Sequence, residues 1–163
     1  MPPLLTNPDP GRPRQGPLTW GVRVALVLAG VVLIGAFTVA FLLDPYDAEG
    51  RPRTMETHTQ LGLPPCTFKV LTGKPCPSCG LTTSFALLAH GDPVNSVRAN
   101  WVGTLMALFG LAVLPWAAAC LVRGRLLGVR SLERALTWAV AFFLALLLLR
   151  WAVLLLVLKE GSP

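Results

Sequence analysis

Charge is scarce in this chain: 13% of its 163 residues are charged, and none of the eight acidic residues falls inside the three longest apolar runs. That scarcity excludes an ordinary soluble domain. It also leaves transport or lipid handling without an acidic or polar path through those runs. The short alternation of a half-buried strand is missing, since the apolar residues are gathered into long blocks. The net charge of +6 is spread over the ends of those blocks with no interleaved aromatics, which excludes nucleic acid as a partner. Cysteine is sparse too, at four residues, and no second Cys-x-x-Cys accompanies the one that is present.

What the chain has is about twenty apolar residues in a row, three times. At 1.5 Å per helical residue such a run crosses a hydrocarbon core of about 30 Å. Lipid offers no partner to a free backbone amide and three segments cannot close a barrel, so each run is expected to be a helix. The predicted class is all-α: a polytopic membrane protein with transmembrane helices over 20–43, 97–122 and 136–158. A proline-rich arm (1–19) precedes them, a long loop (44–96) and a basic loop (123–135) join them, and a short tail (159–163) follows. Trp20 and Trp101 open two of the apolar runs, where an indole favours the headgroup level. The first run is too long for the apolar part of a signal peptide and no small-residue cleavage site follows it, so it is read as a retained span.

Arginine outnumbers lysine 11 to 3, which with the Ala-, Leu- and Pro-rich text suggests a bacterial source and its inner membrane. The N-terminal side and the second loop hold Arg12, Arg14, Arg23, Arg123, Arg125, Arg130 and Arg134. The first loop and the tail hold Arg51, Arg53, Lys69, Lys74, Arg98 and Lys159. These totals barely differ, but the second loop packs four arginines into thirteen residues whereas the first spreads five basic residues over nearly sixty. Density near helix ends predicts a cytoplasmic N-terminus and an extracytoplasmic first loop.

That loop carries the chemistry. Cys66, Cys76 and Cys79 lie within fourteen residues, in "CTFKVLTGKPCPSCGLTT". Cys76-Pro77-Ser78-Cys79 brings two sulfurs close enough for a disulfide or a shared metal, and Gly80 permits the positive φ that turns backbone amides toward sulfur. A short helix over about 81–90 is expected next, ended by Gly91 and Pro93 and too short to span, so interfacial or re-entrant. A helix N-terminus beside the cysteines favours thiolate over thiol. Two readings stand: a structural clasp, closed by a disulfide if the loop is outside the cytoplasm or by a zinc knuckle if it is inside, and a membrane thiol-disulfide oxidoreductase using Cys76 and Cys79 with Cys66 resolving. Zinc needs four ligands, so His90 or His58 would have to join Cys66, Cys76 and Cys79; a disulfide clasp and the redox pair require no cofactor. The clasp is the favoured reading, non-catalytic, with the loop as an interaction surface for a membrane or envelope protein. Cys120, near the far end of the second span, reads as a buried small thiol.

The stretch from Cys66 to Asn100 resembles a widespread bacterial family of small membrane proteins whose function is unknown. Its hallmark is a first cysteine, a Thr-Gly turn, C-P-x-C-G-x-T, and an apolar helix ending in Gly-Asp. Cys66, Gly73, Cys76, Pro77, Cys79, Gly80, Thr82, Gly91, Asp92 and Asn100 fit. Thr83 stands where many members carry arginine, and Trp101 where many carry proline. The resemblance implies membership and a membrane location, not a reaction.

Arg150 is the remaining anomaly, fourteen residues into the third run. A charge at mid-membrane costs about 2.5–3.5 kcal/mol on insertion scales. Either it snorkels toward the end of the run, about 12 Å away, or it faces the bundle beneath the 76–79 motif, pairing with a helix-end carbonyl or with Asp92.

Overall fold

The computed structural model describes residues 17–160, so expectations for the N-terminal arm before residue 17 and for 161–163 lie outside the described residues. Helix α1, Trp20–Leu42, starts where the Thr19 hydroxyl accepts from the Val22 amide at 3.5 Å, a side-chain N-cap. Helix α4, Pro93–Arg123, and helix α5, Leu132–Glu160, complete the three helices long and apolar enough to cross a membrane. Two shorter helices lie between α1 and α4: α2, Thr67–Thr72, and α3, Leu81–Ala89. The architecture is all-helical, as its apolar runs require.

Helix α4 starts four residues before the expected boundary at 97, at Pro93. Asp92 and Pro93 end α3 and also open α4, because the Asp92 carboxylate accepts from the Asn95 amide at 3.1 Å and proline at N1 gives up no needed donor. The helix then breaks stride at Asn100, whose backbone is extended (φ −159°, ψ 100°), before running on to Arg123.

The loop after α1 is knotted by its own polar side chains. Asp47 accepts from the Arg51 amide at 2.8 Å and from its guanidinium at 3.0 Å. Gln60 bridges the amide and carbonyl of Asp44. A 3-10 turn, Thr57–Leu61, is then fastened to α3 by a buried hydrogen bond of 2.8 Å from the Thr57 hydroxyl to that of Thr83.

Helix α3 packs on the first turns of α4 and on the end of α1, where Phe85 stacks on Phe37 with ring centroids 5.8 Å apart. The α3–α4 contact is close and polar. The Ser96 hydroxyl donates to the Ser84 carbonyl at 2.7 Å and meets the Thr104 hydroxyl at 2.8 Å. Gly103 makes this possible, because a Cβ there would sit 2.2 Å from the Ser84 hydroxyl oxygen. At the opposite end of the bundle Leu18, Leu26, Ala117 and Cys120 form a small apolar core that Leu127 and Leu132 help to cover. Cys120 is fully buried there, far from the other three cysteines.

Candidate functional site

Cys66 immediately precedes α2, and α2 stops at Gly73, whose φ of +69° turns the chain back. The Thr72 hydroxyl secures that return by accepting from the Lys74 amide at 3.2 Å. The next turn closes when the Cys79 amide donates to the Cys76 carbonyl at 3.1 Å. Gly80, at φ +83°, then feeds the chain into α3. No other residue fits at Gly80, since a Cβ would lie 2.7 Å from the Ala99 carbonyl oxygen and 2.9 Å from that of Thr54.

These turns converge three sulfurs. Those of Cys66, Cys76 and Cys79 all lie within 4.8 Å of one another. The Cys76 and Cys79 sulfurs are in hydrogen-bond contact at 3.3 Å, and the Cys76 amide donates to the Cys79 sulfur at 3.2 Å. No disulfide is formed among the described residues. Burial pushes the Cys76 thiol up, but hydrogen bonds from Ser78, Cys79 and Cys66 outweigh it and bring its pKa down to about 7. Burial and the Cys76 thiol beside it push Cys79 up to about 12. Cys76 is therefore the first of the two to ionise.

Positive charge surrounds the sulfurs. Lys69, one turn along α2, is held at 2.9 Å by Glu56, and that hydrogen bond keeps its ammonium more firmly protonated than usual. The Arg150 guanidinium lies within electrostatic reach of Cys79 and Cys76. Its Nη2 donates to the Ala99 carbonyl at 3.2 Å, and its Nη1 is buried without a partner among the described residues. Asp92 plays no part in this, being committed to capping α4 and to Asn95. His90 stands apart from the cysteines. Helix α3 is a rigid rod and carries it roughly 13 Å beyond Leu81, where its Nδ1 lies 2.9 Å from the Ala86 carbonyl and its ring stacks on Phe41.

A cavity of about 270 Å³ is lined by the three clustered cysteines together with Glu56, which caps the 3-10 turn, His58 on that turn, and Ser78, Thr82 and Thr83.

Two supporting residues escaped the reading of the sequence as chemistry. Asn100, fully buried, donates through Nδ2 to the Cys79 carbonyl at 3.1 Å and accepts the Gly103 amide at 3.1 Å. Its extended backbone is what lets one side chain serve both. Trp151 donates through Nε1 to the Pro75 carbonyl at 2.9 Å and meets Phe68 edge-on at 6.0 Å. An amide side chain at the head of an apolar run, and an indole beside the only charge in another, were the available signals.

Residues 66–114 match a family model described as "Protein of unknown function (DUF2752)". The resemblance drawn from the motif is thus shown over the stretch that runs from the first clustered cysteine through α3 into α4. No curated protein and no solved structure matches the chain.

Proposed function

We propose that this is a non-catalytic membrane protein of the bacterial inner membrane, in which Cys66, Cys76 and Cys79 form a metal clasp that fixes α2 and α3 against the head of α4. The observation that carries the reading is the convergence of three sulfurs within 4.8 Å. A disulfide between any two would leave the third thiol beside it, placed to attack. A thiophilic ion uses all three. Tetrahedral zinc with bonds of about 2.3 Å separates its sulfurs by about 3.8 Å, between the 3.3 Å of the Cys76–Cys79 pair and the 4.8 Å within which all three sulfurs lie. Lys69 and Arg150 favour the negative charge that three thiolates bring to one divalent ion. Fixed in this way, the loop presents a rigid surface to a membrane or envelope protein.

The arginine density of the second loop supports an extracytoplasmic cysteine loop, where a bound metal also guards the thiolates against oxidation. A phosphatase that works only outside the cytoplasm, fused after Gly62, should be active; activity of a cytoplasm-only reporter at that point overturns the orientation.

The clasp is tested on the full chain in detergent, by metal analysis and by alkylation with an impermeant maleimide. One zinc per chain and thiols that react only after chelation are the expected results. Thiols that react only after reduction overturn the metal in favour of a disulfide. A second reading rests on Cys76 being the more exposed of two thiols that line the cavity, with Cys79 buried at 8% exposure. There, the Cys76 thiolate attacks a partner disulfide and releases one partner thiolate. Cys79 then attacks the mixed disulfide and releases the other, so two electrons pass from the dithiol to the partner. A Cys76–Cys79 pair that follows the redox poise of the buffer would select it.

A further inference from the structure

We infer that His58 is the fourth ligand of the cysteine site, making it a Cys3His centre; this rests on the metal reading above. Three protein sulfurs leave a tetrahedral ion one bond short, and a site with a structural role is closed by protein. The missing donor has to come from the other residues that line the cavity with the sulfurs. Apart from the cysteines, these offer two metal-ligating groups, Glu56 and His58. Glu56 is engaged, its carboxylate held 2.9 Å from the Lys69 ammonium. Thr83, also in the lining, is engaged with Thr57 at 2.8 Å.

His58 is arranged differently. Its Nε2 lies 3.3 Å from the Pro64 carbonyl. A ligating histidine makes this type of contact with its non-metal nitrogen: the N–H goes to a carbonyl, the tautomer is fixed, and the other nitrogen keeps its lone pair for the ion. In that tautomer Nδ1 is the free donor.

The turn that carries His58 is also registered against the site. Thr57, its neighbour, is fully buried and bonded to the first turn of α3. Glu56 takes a left-handed φ of +68°, and no other non-glycine among the described residues has a positive φ. The chain is thereby reversed just before His58, between two fixed points. His58 lies outside the 4.8 Å sulfur set, so closure requires its side chain to turn inward onto the ion while Thr57 stays in place. Two cysteines between α2 and α3, one before α2, and a histidine from the preceding loop would then tie the whole of 58–79 together. An ion with three thiolates and a neutral imidazole carries one net negative charge, beside Lys69 and Arg150.

The test uses the full chain in detergent, with Co(II) as the spectroscopic probe and Zn(II) as competitor. The wild type should bind one Co(II) with the intense visible bands of a tetrahedral sulfur-rich site. His58→Ala should shift those bands and weaken Zn(II) at least about a hundredfold, the upper range for losing a mere outer-shell partner. His58→Cys should restore tight binding with a stronger sulfur charge-transfer band, which a misfolded loop would not do. Leu61→Ala, on the same turn and exposed, should leave bands and affinity unchanged. Identical bands and affinity in His58→Ala overturn this assignment and leave the three-cysteine clasp standing. A wild type that binds neither metal overturns the clasp itself.

Discussion

The head of α4 and the third span are built on opposite plans. Around Asn100 the chain buries Thr57, Thr83, Ser84, Ser96, Asn100 and Thr104 almost completely, and each is hydrogen-bonded to another part of the same knot. Helix α5 carries no side chain as deeply buried anywhere along its membrane-crossing window. It touches its neighbours through separated contacts: Phe143 on Phe109 at 5.4 Å, Arg150 on the Ala99 carbonyl, and Trp151 on Pro75 and Phe68. The contrast follows from the solvent. Lipid is as apolar as a leucine side chain and gives α5 little reason to pack, whereas an unpaired polar group at the membrane is costly and forces its partners together. Geometry is therefore specified by the polar knot, while α5 supplies mainly a crossing.

The largest effect that would break this contrast comes from Asn100→Leu. It strands the Cys79 carbonyl and the Gly103 amide in a buried site and should cost about 2–4 kcal/mol, measured by thermal unfolding in detergent. Gly103→Ala should follow at about 1–3 kcal/mol, because its methyl group overlaps the Ser84 hydroxyl; adding Ser84→Ala should recover part of the loss in a double-mutant cycle. Trp151→Phe keeps the ring against Phe68 but loses the bond to Pro75, and about 1 kcal/mol or less is expected from the same melts. A loss as large as that of Asn100→Leu would show α5 to be part of the knot.

The smallest effect is kinetic. In metal-free protein carrying Cys66→Ser and Cys120→Ser, maleimide should reach Cys76 first. Its pKa, held down to about 7, populates the thiolate as pH rises. The rate should climb about tenfold per unit below that value and level off above it, whereas an unperturbed thiol keeps climbing past pH 8.

The three crossings were legible because apolar length is a local property that no tertiary contact has to complete. The short helix after Gly80 was legible from its glycine and proline punctuation. What lay beyond reach depended on contacts distant in the chain. Asn100 breaks the helical path to serve a carbonyl twenty-one residues earlier. Arg150 announced itself as a charge among leucines, but its acceptor is a main-chain oxygen fifty-one residues away and has no signature in side chains. His90, eleven residues after Cys79, was a candidate fourth ligand beside the cysteines, yet helix α3 carries it away from them. The loop before Cys66 brings His58 back through Thr57 and Thr83, a pairing that two ordinary threonines do not advertise.

The bond between Arg150 and Ala99 also works as a depth gauge. Ala99 stands just before the break at Asn100, and the regular helix from Trp101 to Arg123 measures roughly 33 Å, while the 23 residues of α1 measure about 34 Å. Both distances slightly exceed a hydrocarbon core of about 30 Å. The guanidinium that shares the Ala99 carbonyl therefore stands at the height where the other two crossings end, although it is flanked by leucine and valine along its own helix. The penalty for a charge at mid-membrane does not apply at that height. It is the last turns of α5, with Val153, Leu156 and Val157 exposed, that rise past the common level and set the local mismatch the surrounding bilayer has to absorb.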